Sequence, residues 1–239
     1  MDLILLAAGF ATRLEPLTLN QPKHLLPVKK GLFVDPLMRQ LFETNKEFNR
    51  KVIITNDKYF AQFEKFAQKL NQGYEVYNDG VNSKDNRIGA IGDLLNVIQK
   101  AGLNDDLLVI AMDFIFEDFD FGSLIDFFKA KKSSVTVARK EENIEEIKAG
   151  SCILFDKKMK ITRFEEKPKN PFSNLYGAPY YLIKKDDLKY VKNLPHDLWD
   201  NCGQIVKAIL KESSIYAFQY DGKYLHMTTI NDYNKIKEM

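Results

Sequence analysis

A loop of small residues that carries two cations follows the first apolar run of the chain. It reads LAAGFATRL over residues 6–14, and Lys23 stands ten positions after Arg13. Backbone N–H groups in a loop without bulky side chains can approach phosphate oxygens closely. Arginine adds a planar fork for bidentate contact with phosphate, and lysine adds a movable point charge. The loop therefore predicts a site that stabilises negative charge on a pyrophosphate leaving group, and the alternative is an ordinary turn with two exposed cations.

The elements around this loop indicate a parallel sheet with crossover helices, because short apolar strands alternate with amphipathic helices. The predicted strands of the first half are Leu3–Ala7, Lys51–Thr55, Tyr74–Tyr77, Leu107–Met112 and Ser134–Ala138. Apolar residues at three- and four-residue spacing predict helices over Pro36–Phe42, Tyr59–Leu70, Ile91–Lys100 and Leu124–Ala130. Ligands of such sheets bind outside the carboxyl ends of the strands, which is where the loop of residues 6–14 lies.

From Gly150 onward the pattern changes to strands without intervening helices, which indicates a mixed-sheet region. These strands are Cys152–Phe155, Ile161–Glu165 and Tyr176–Ile183. The chain then returns to a helix, a strand and a short helix, predicted at Gln204–Leu210, Ile215–Tyr220 and Asp232–Met239. The fold class is therefore α/β, with a Rossmann-like, mostly parallel mixed sheet and helices on both faces. Without a repeat or a Pro/Gly-rich hinge, we expect a single domain over residues 1–239.

Composition and charge exclude several classes of protein. Of the 239 residues 45% are hydrophobic and 28% are charged, which is typical of a globular chain and not of a disordered or coiled-coil one. A net charge of +2 gives no field that would favour nucleic acid or a membrane surface as a partner. Cys152 and Cys202 form no metal-binding or disulfide pattern. The apolar run Leu3–Ala8 is too short for a signal peptide or a membrane span, so we expect a cytoplasmic protein.

The residues from the loop to Lys23 resemble the signature L-A-A-G-x-G-T-R-L-x-P-x-T-x-x-x-P-K of the sugar-1-phosphate nucleotidylyltransferases, with Ala11 in place of the second glycine. The chain is similar to the glucose-1-phosphate thymidylyltransferase type over nearly its full length. The resemblance implies the fold of nucleotide-diphospho-sugar transferases. It implies a nucleotide-binding half over about residues 1–140 and a sugar-binding half over about residues 141–239.

The resemblance also implies roles for individual residues. Arg13 and Lys23 would serve catalysis. The nucleotide-binding positions of the loop would be Leu6, Ala7, Ala8, Gly9 and Thr12. The segment DNRIGAIGDL at residues 85–94 is similar to the family's helix beside the nucleotide base, where Gly89 would allow close backbone approach.

Two later segments would bind the metal and the sugar phosphate. Asp113 ends a strand that resembles the family's magnesium-binding strand, and one carboxylate with phosphate oxygens and water is sufficient to anchor Mg²⁺. The run FEEKP at residues 164–168 resembles F-x-E-K-P, so Glu166 would accept hydrogen bonds from sugar hydroxyls and Lys167 would neutralise the sugar phosphate. The alternatives are a turn residue for Asp113 and a solvated charged face for the Glu-Lys run.

Three positions depart from the family pattern. Met112 replaces a glycine before Asp113, and Pro179 falls inside a predicted strand of the sugar side, where a proline is poorly tolerated if the strand is central. His226 stands where the family's second metal-binding aspartate is expected. Imidazole suits Mg²⁺ less well than a carboxylate does, so His226 is either a metal ligand or a structural residue.

The sequence therefore predicts an Mg²⁺-dependent nucleotidyltransferase that joins an NTP and a sugar-1-phosphate and releases pyrophosphate. The resemblance favours dTTP or UTP as the NTP. The 17 Phe residues leave room for an apolar patch that would serve a homo-oligomer. Two alternatives stay open. One is a nucleotide- or sugar-nucleotide-binding regulatory protein on the same fold, and the other is a transferase with a phospho-alcohol acceptor such as phosphocholine.

Overall fold

A computed structural model describes all residues from Met1 to Met239. The α-helices are α1 (Asp35–Glu43), α2 (Phe60–Leu70), α3 (Gly89–Ala101), α4 (Phe121–Lys131), α5 (Ile144–Ala149), α6 (Leu188–Lys192), α7 (Gln204–Glu212) and α8 (Ile230–Ile236). The strands of the first half are β1 (Asp2–Leu6), β2 (Pro27–Val28), β3 (Gly31–Leu32), β4 (Arg50–Thr55), β5 (Tyr74–Asn78), β6 (Leu107–Ala111) and β7 (Phe114–Phe116). The strands of the second half are β8 (Ser134–Lys140), β9 (Ser151–Phe155), β10 (Ile161–Glu166), β11 (Leu175–Ile183), β12 (Ile215–Gln219) and β13 (Tyr224–His226).

The first four long strands form a parallel block in the order β6-β1-β4-β5. Strand β1 lies in the middle of the block, and all of its residues are buried. Its successive side chains alternate between two hydrophobic cores, so that Leu3 and Leu5 pack on one face and Ile4 and Leu6 on the other. Parallel strands that are covered on both faces have continuous apolar runs in their sequence, which is why the sequence predicts this block well.

Helices cover both faces of the sheet, as predicted. One core of 35 buried residues includes the apolar sides of α1, α2 and α4. The other core, of 24 buried residues, includes those of α3, α6 and α7. No helix is long and apolar enough to cross a membrane.

Strand β11 joins the parallel block to the second half of the chain. It pairs antiparallel with β8 along one side, and along the other side it pairs antiparallel with β6 and, at Tyr176, with β9. The predicted strand Ser134–Ala138 is present as part of β8 and runs in the same direction as the parallel block, but it does not pair with that block, because β11 inserts between β6 and β8. The parallel partner of β8 is β12, at the far end of the chain.

Pro179 lies inside β11, which is a central strand. The ladder with β8 shifts register between Ala178 and Tyr181, so Pro179 falls within a β-bulge. The Oγ1 hydroxyl of Thr136 lies 3.2 Å from the carbonyl oxygen of Tyr180 across this bulge. A bulge removes the need for the backbone N–H that proline lacks, and this is how a proline is accommodated between two paired strands.

A small antiparallel ribbon of β7 and β13 is absent from the sequence prediction. It pairs Phe114 with His226 and Phe116 with Tyr224. Next to the ribbon, the N–H of Met227 donates to the carbonyl of Asp113 at 3.2 Å. The ribbon therefore places the C-terminal segment beside the carboxyl end of β6.

Candidate active site

A cleft of about 460 Å³ opens at the carboxyl ends of the parallel strands. Most residues that the sequence singles out line it, namely Leu6, Ala8, Gly9, Thr12, Arg13, Lys23, Gly89, Asp113 and Lys167. Ala7, Glu166 and His226 lie outside its lining. Ala7 is buried behind the loop and donates its N–H to Ile54 at 2.9 Å. The topology thus brings together loops that are far apart in the chain.

The floor of the cleft holds an ion pair between Lys23 and Asp113. Lys23 Nζ lies 2.7 Å from Asp113 Oδ2, and the Lys23 side chain is only 11% exposed. Burial by itself would raise the pKa of Asp113, but the charges of Lys23 and His226 hold it well below its usual range. The site therefore presents one fixed carboxylate and one buried ammonium group to the cleft.

The loop after β1 has the backbone geometry of a glycine-containing turn. Ala11, which stands in the place of a usual glycine, adopts a left-handed conformation with φ of 50°. Thr18 donates to the Ala11 carbonyl at 2.9 Å, and Asn56 donates to the Ala8 carbonyl at 2.8 Å. Arg13 is exposed and forms no ion pair, so its guanidinium is available to a ligand in the cleft.

Gly89 begins α3 at the side of the cleft and adopts φ of +80°. A Cβ at this position would lie 2.5 Å from the carbonyl oxygen of Trp199, which accepts the N–H of Ile91 at 2.9 Å. The close backbone contact explains the requirement for glycine here. The atoms that exclude a side chain here are those of the Trp199 backbone, and Gly89 also lines the cleft.

Glu166 is the last residue of β10, and Lys167 follows it. Lys167 is exposed, lines the cleft and donates its backbone N–H to Gly150 at 2.7 Å. The Glu166 carboxyl packs so closely against Gly203 that a Cβ there would overlap it. Burial raises the pKa of Glu166 to about 7, although Lys167 and Lys207 oppose the shift.

His226 lies beside Asp113 on the neighbouring strand but is not part of the cleft wall. Its ring centroid is 5.5 Å from that of Phe114, the residue after Asp113. Its charge contributes to the low pKa of Asp113, which places it within electrostatic reach of that carboxylate. No group of three or more His, Cys, Asp or Glu side chains is arranged to hold a metal ion.

The sequence analysis gives no role to several residues of the cleft. Asp79 and Asp93 both line it, and burial raises the pKa of each carboxyl. His24, next to Lys23, is 2% exposed and leaves Nδ1 without a partner, and burial lowers its pKa to about 3. Asp93 falls in the segment 85–94, and its place in that motif could have indicated that it lines the cleft. The sequence around His24 gives no such indication, because the burial of His24 depends on long-range packing.

The fold and the cleft define a class of nucleotidyltransferase, and comparison with known proteins agrees. A family model described as nucleotidyl transferase matches residues 3–237, and the chain belongs to this family. It is 26% identical over 239 residues to a provisionally named mannose-1-phosphate guanyltransferase of Sulfolobus acidocaldarius, covering 98% of this chain and 61% of that protein. It is 31% identical over 133 residues to a glucose-1-phosphate adenylyltransferase of a Thermotoga species, covering 53% of this chain and 31% of that protein.

Solved structures share the fold. A crystal structure provisionally described as a glucose-1-phosphate thymidylyltransferase of Bacillus anthracis aligns with a TM-score of 0.83 at 23% identity, covering 99% of this chain and 94% of that one. The mixed, mostly parallel sheet is therefore that of the nucleotidyltransferase fold. The chain spans about three fifths or less of the length of the curated relatives named above.

Proposed function

We propose that the chain catalyses nucleotidyl transfer from an NTP to a sugar-1-phosphate. A phosphate oxygen of the sugar-1-phosphate attacks the α-phosphorus, the bond to the β-phosphate breaks, and pyrophosphate leaves. The buried Lys23–Asp113 pair carries this proposal, because it fixes an ammonium group and a carboxylate 2.7 Å apart on the floor of a cleft that the loop of residues 6–14 lines. The family membership supports it, and so do the relatives named as a mannose-1-phosphate guanyltransferase and a glucose-1-phosphate adenylyltransferase.

Catalysis of this kind consists of positioning and neutralisation of charge, since no covalent enzyme intermediate is needed. Lys23 and Arg13 neutralise the triphosphate, and the loop backbone with Thr12 holds its oxygens. Glu166 accepts hydrogen bonds from hydroxyl groups of the sugar, and Lys167 neutralises the sugar phosphate. Lys167 lines the cleft, and Glu166 is the residue directly before it in the chain.

Among the residues of this site, Asp113 is the one whose side chain is suited to bind Mg²⁺. Lys23 contacts Oδ2 of Asp113, and Oδ1 makes no hydrogen bond within the protein, so this oxygen is free to bind a cation. Mg²⁺ needs few carboxylates when phosphate oxygens and water complete its shell. When bound, the ion would withdraw charge from the phosphates. His226 occupies the second position beside Asp113, and its nitrogen suits this ion poorly.

A second candidate function is nucleotide or sugar-nucleotide binding without efficient transfer. His226 favours it, because the position beside Asp113 lacks a second carboxylate. Such a protein would be stabilised thermally by nucleotide and would release no pyrophosphate.

The test is product formation from defined substrate pairs with Mg²⁺. Each of GTP, ATP, CTP, UTP and dTTP is combined with a panel of sugar-1-phosphates, and phosphorus NMR identifies the nucleotide sugar and the pyrophosphate. Phosphocholine with CTP forms a separate arm for the phospho-alcohol alternative. Equimolar nucleotide sugar and pyrophosphate from one sugar pair supports the proposal. Thermal stabilisation by nucleotide without product supports the binding protein instead.

A further inference from the structure

Phe114, the residue directly after Asp113, belongs to a stack of flat side chains. Its ring centroid lies 4.8 Å from that of Tyr224 and 5.8 Å from that of Tyr176, and the planes are inclined by only 11° and 14°. The guanidinium carbon of Arg139 lies 3.9 Å from the centre of the Tyr224 ring. We call these four side chains the Phe114 stack. They come from β7, β13, β11 and β8, so the stack ties four strands to the residue that follows Asp113.

The cation of the Phe114 stack is buried. The Arg139 side chain is only 11% exposed and pairs with Glu141, whose side chain is 8% exposed. Glu141 also accepts a hydrogen bond from the Tyr224 hydroxyl at 3.2 Å. Arg139 Nε is buried and makes no hydrogen bond. The guanidinium therefore lies over the Tyr224 ring although this leaves one buried donor without a partner.

Stability alone does not account for the Arg139–Glu141 pair. The loss of hydration offsets most of the attraction between two buried charges, and apolar side chains of similar volume often replace such a pair without loss of stability. The pair does fix a direction, because the guanidinium and the Tyr224 hydroxyl both donate to the same carboxylate. The Tyr224 ring is thereby held in one orientation, and Phe114 stacks on that ring.

The backbone of Asp113 and Phe114 is held from both sides. The N–H of Met227 donates to the carbonyl of Asp113 at 3.2 Å, and the hydroxyl of Tyr180 donates to the carbonyl of Phe114 at 3.2 Å. With these carbonyls fixed, the Phe114 ring sets the remaining freedom of the peptide that joins it to Asp113. A shift of the ring would therefore move the Asp113 carboxylate.

We propose that Arg139 is a positioning residue for Asp113 and acts through the rings of Tyr224 and Phe114. This inference rests on the proposed function, because Asp113 is the carboxylate that would bind the metal ion there. Arg139 does not line the cleft, so it has no direct contact with a ligand bound in it. Residues that support a metal ligand commonly change metal affinity or activity about 10- to 100-fold when they are removed.

The experiment compares Arg139→Met with Arg50→Met as the matched control. Arg50 donates to Glu75 at 2.8 Å and begins β4, at the edge of the sheet opposite to the cleft. Each substitution keeps an unbranched side chain and leaves a glutamate without its arginine, so a merely structural effect occurs in both. Electron paramagnetic resonance measures Mn²⁺ affinity with the nucleotide that the unmodified chain binds most tightly among GTP, ATP, CTP, UTP and dTTP. Turnover assays give kcat and the KM of that nucleotide, and urea unfolding gives stability.

Two substitutions of Tyr224 separate its ring from its hydroxyl group. Tyr224→Phe keeps the ring and loses the hydrogen bond to Glu141, whereas Tyr224→Leu removes the ring. If Arg139 acts through this ring, Arg139→Met should have no further effect on Mn²⁺ affinity in a Tyr224→Leu background. The single Tyr224 variants also decide the question if Arg139→Met does not fold.

We expect Arg139→Met and Tyr224→Leu each to weaken Mn²⁺ binding about tenfold and to lower kcat by a similar factor, with a change below about twofold in KM. Arg50→Met and Tyr224→Phe should stay within about twofold of the unmodified chain in Mn²⁺ affinity and kcat. Reduced stability of Arg139→Met with unchanged Mn²⁺ affinity would overturn the inference, and so would additive effects of Arg139→Met and Tyr224→Leu.

The two proposals fail in different ways. Mn²⁺ affinity that depends on Arg139, without pyrophosphate release by any of the proteins, would support the inference and contradict the proposed function. Pyrophosphate release by an unmodified chain that binds no Mn²⁺ would support the proposed function and overturn the inference, because Asp113 would then hold no metal ion.

Discussion

At the scale of single residues, the site depends on buried charges that are stabilised by oppositely charged partners. Lys23 loses most of its hydration on the floor of the cleft, and Asp113 at 2.7 Å compensates for that loss. The motif around Lys23 and the strand before Asp113 predict both residues. Their direct contact was not predictable, since it joins positions 90 apart in the chain.

The residue beside Asp113 gives the first prediction. His226→Asp places a second carboxylate where the strand pairing of β7 with β13 brings position 226 next to Phe114. We expect the substitution to tighten divalent-cation binding in the presence of nucleotide about tenfold, because oxygen ligands suit Mg²⁺ better than nitrogen does. Titration with Mn²⁺ followed by electron paramagnetic resonance measures it directly. His226→Asn is the control, since it adds an oxygen without a charge. Equal affinity in all three proteins would argue against a metal near position 226.

Glu166 gives a prediction about stability and pH. Its pKa is raised from 4.5 to about 7 by burial, so between these values the folded protein holds a proton that the unfolded chain has released. The contribution of Glu166 to stability therefore falls as pH rises through this window, and the full penalty applies above about pH 7. Glu166→Gln should be more stable than the unmodified chain by about 1–3 kcal/mol at pH 8 and similar to it at pH 4. Urea unfolding at both pH values measures the difference, and a gain that does not change with pH would contradict the account.

At the scale of elements, the turns that place the site depend on local backbone geometry. Helix α3 begins at Gly89 because only glycine combines φ of +80° with a carbonyl oxygen as near as that of Trp199. Strand β11 passes Pro179 through a bulge, which the sequence could not predict because a bulge is defined by the partner strand. The β7–β13 ribbon was also missed, since two strands of three residues carry too little periodicity to be recognised.

Substitution of Gly89 tests the first of these points. Gly89→Ala should reduce the free energy of unfolding by about 2–4 kcal/mol, because the left-handed conformation and the contact with Trp199 both act against a side chain. Gly9→Ala is the matched comparison, since a Cβ there has no atom within 4 Å, and it should cost less than about 1 kcal/mol. Chemical denaturation of both variants measures the difference. Equal losses of stability would show that Trp199 does not constrain the start of α3.

At the scale of the whole molecule, the alternation of apolar strands and amphipathic helices predicts the parallel block, the helices on both faces and the edge of the sheet that carries the site. Local patterns are sufficient for this, because the apolar residues of each strand and of each helix face indicate directly that the strand or face is buried. Strand order is a non-local property, so the insertion of β11 between β6 and β8 could not be read from the sequence. The division into a nucleotide-binding and a sugar-binding half remains a prediction.

The central claim is that the Lys23–Asp113 floor of this cleft performs nucleotidyl transfer. The most direct measurement is the rate of pyrophosphate release by Lys23→Ala, compared with the unmodified chain and with Lys65→Ala, which changes an exposed lysine on α2. Thermal melting confirms that each protein is folded at the assay temperature. We predict at least about a 100-fold lower turnover for Lys23→Ala, because the substitution removes the positioned cation that stabilises negative charge on the leaving pyrophosphate. The rate of Lys65→Ala should be unchanged. Unchanged turnover in folded Lys23→Ala would contradict the account.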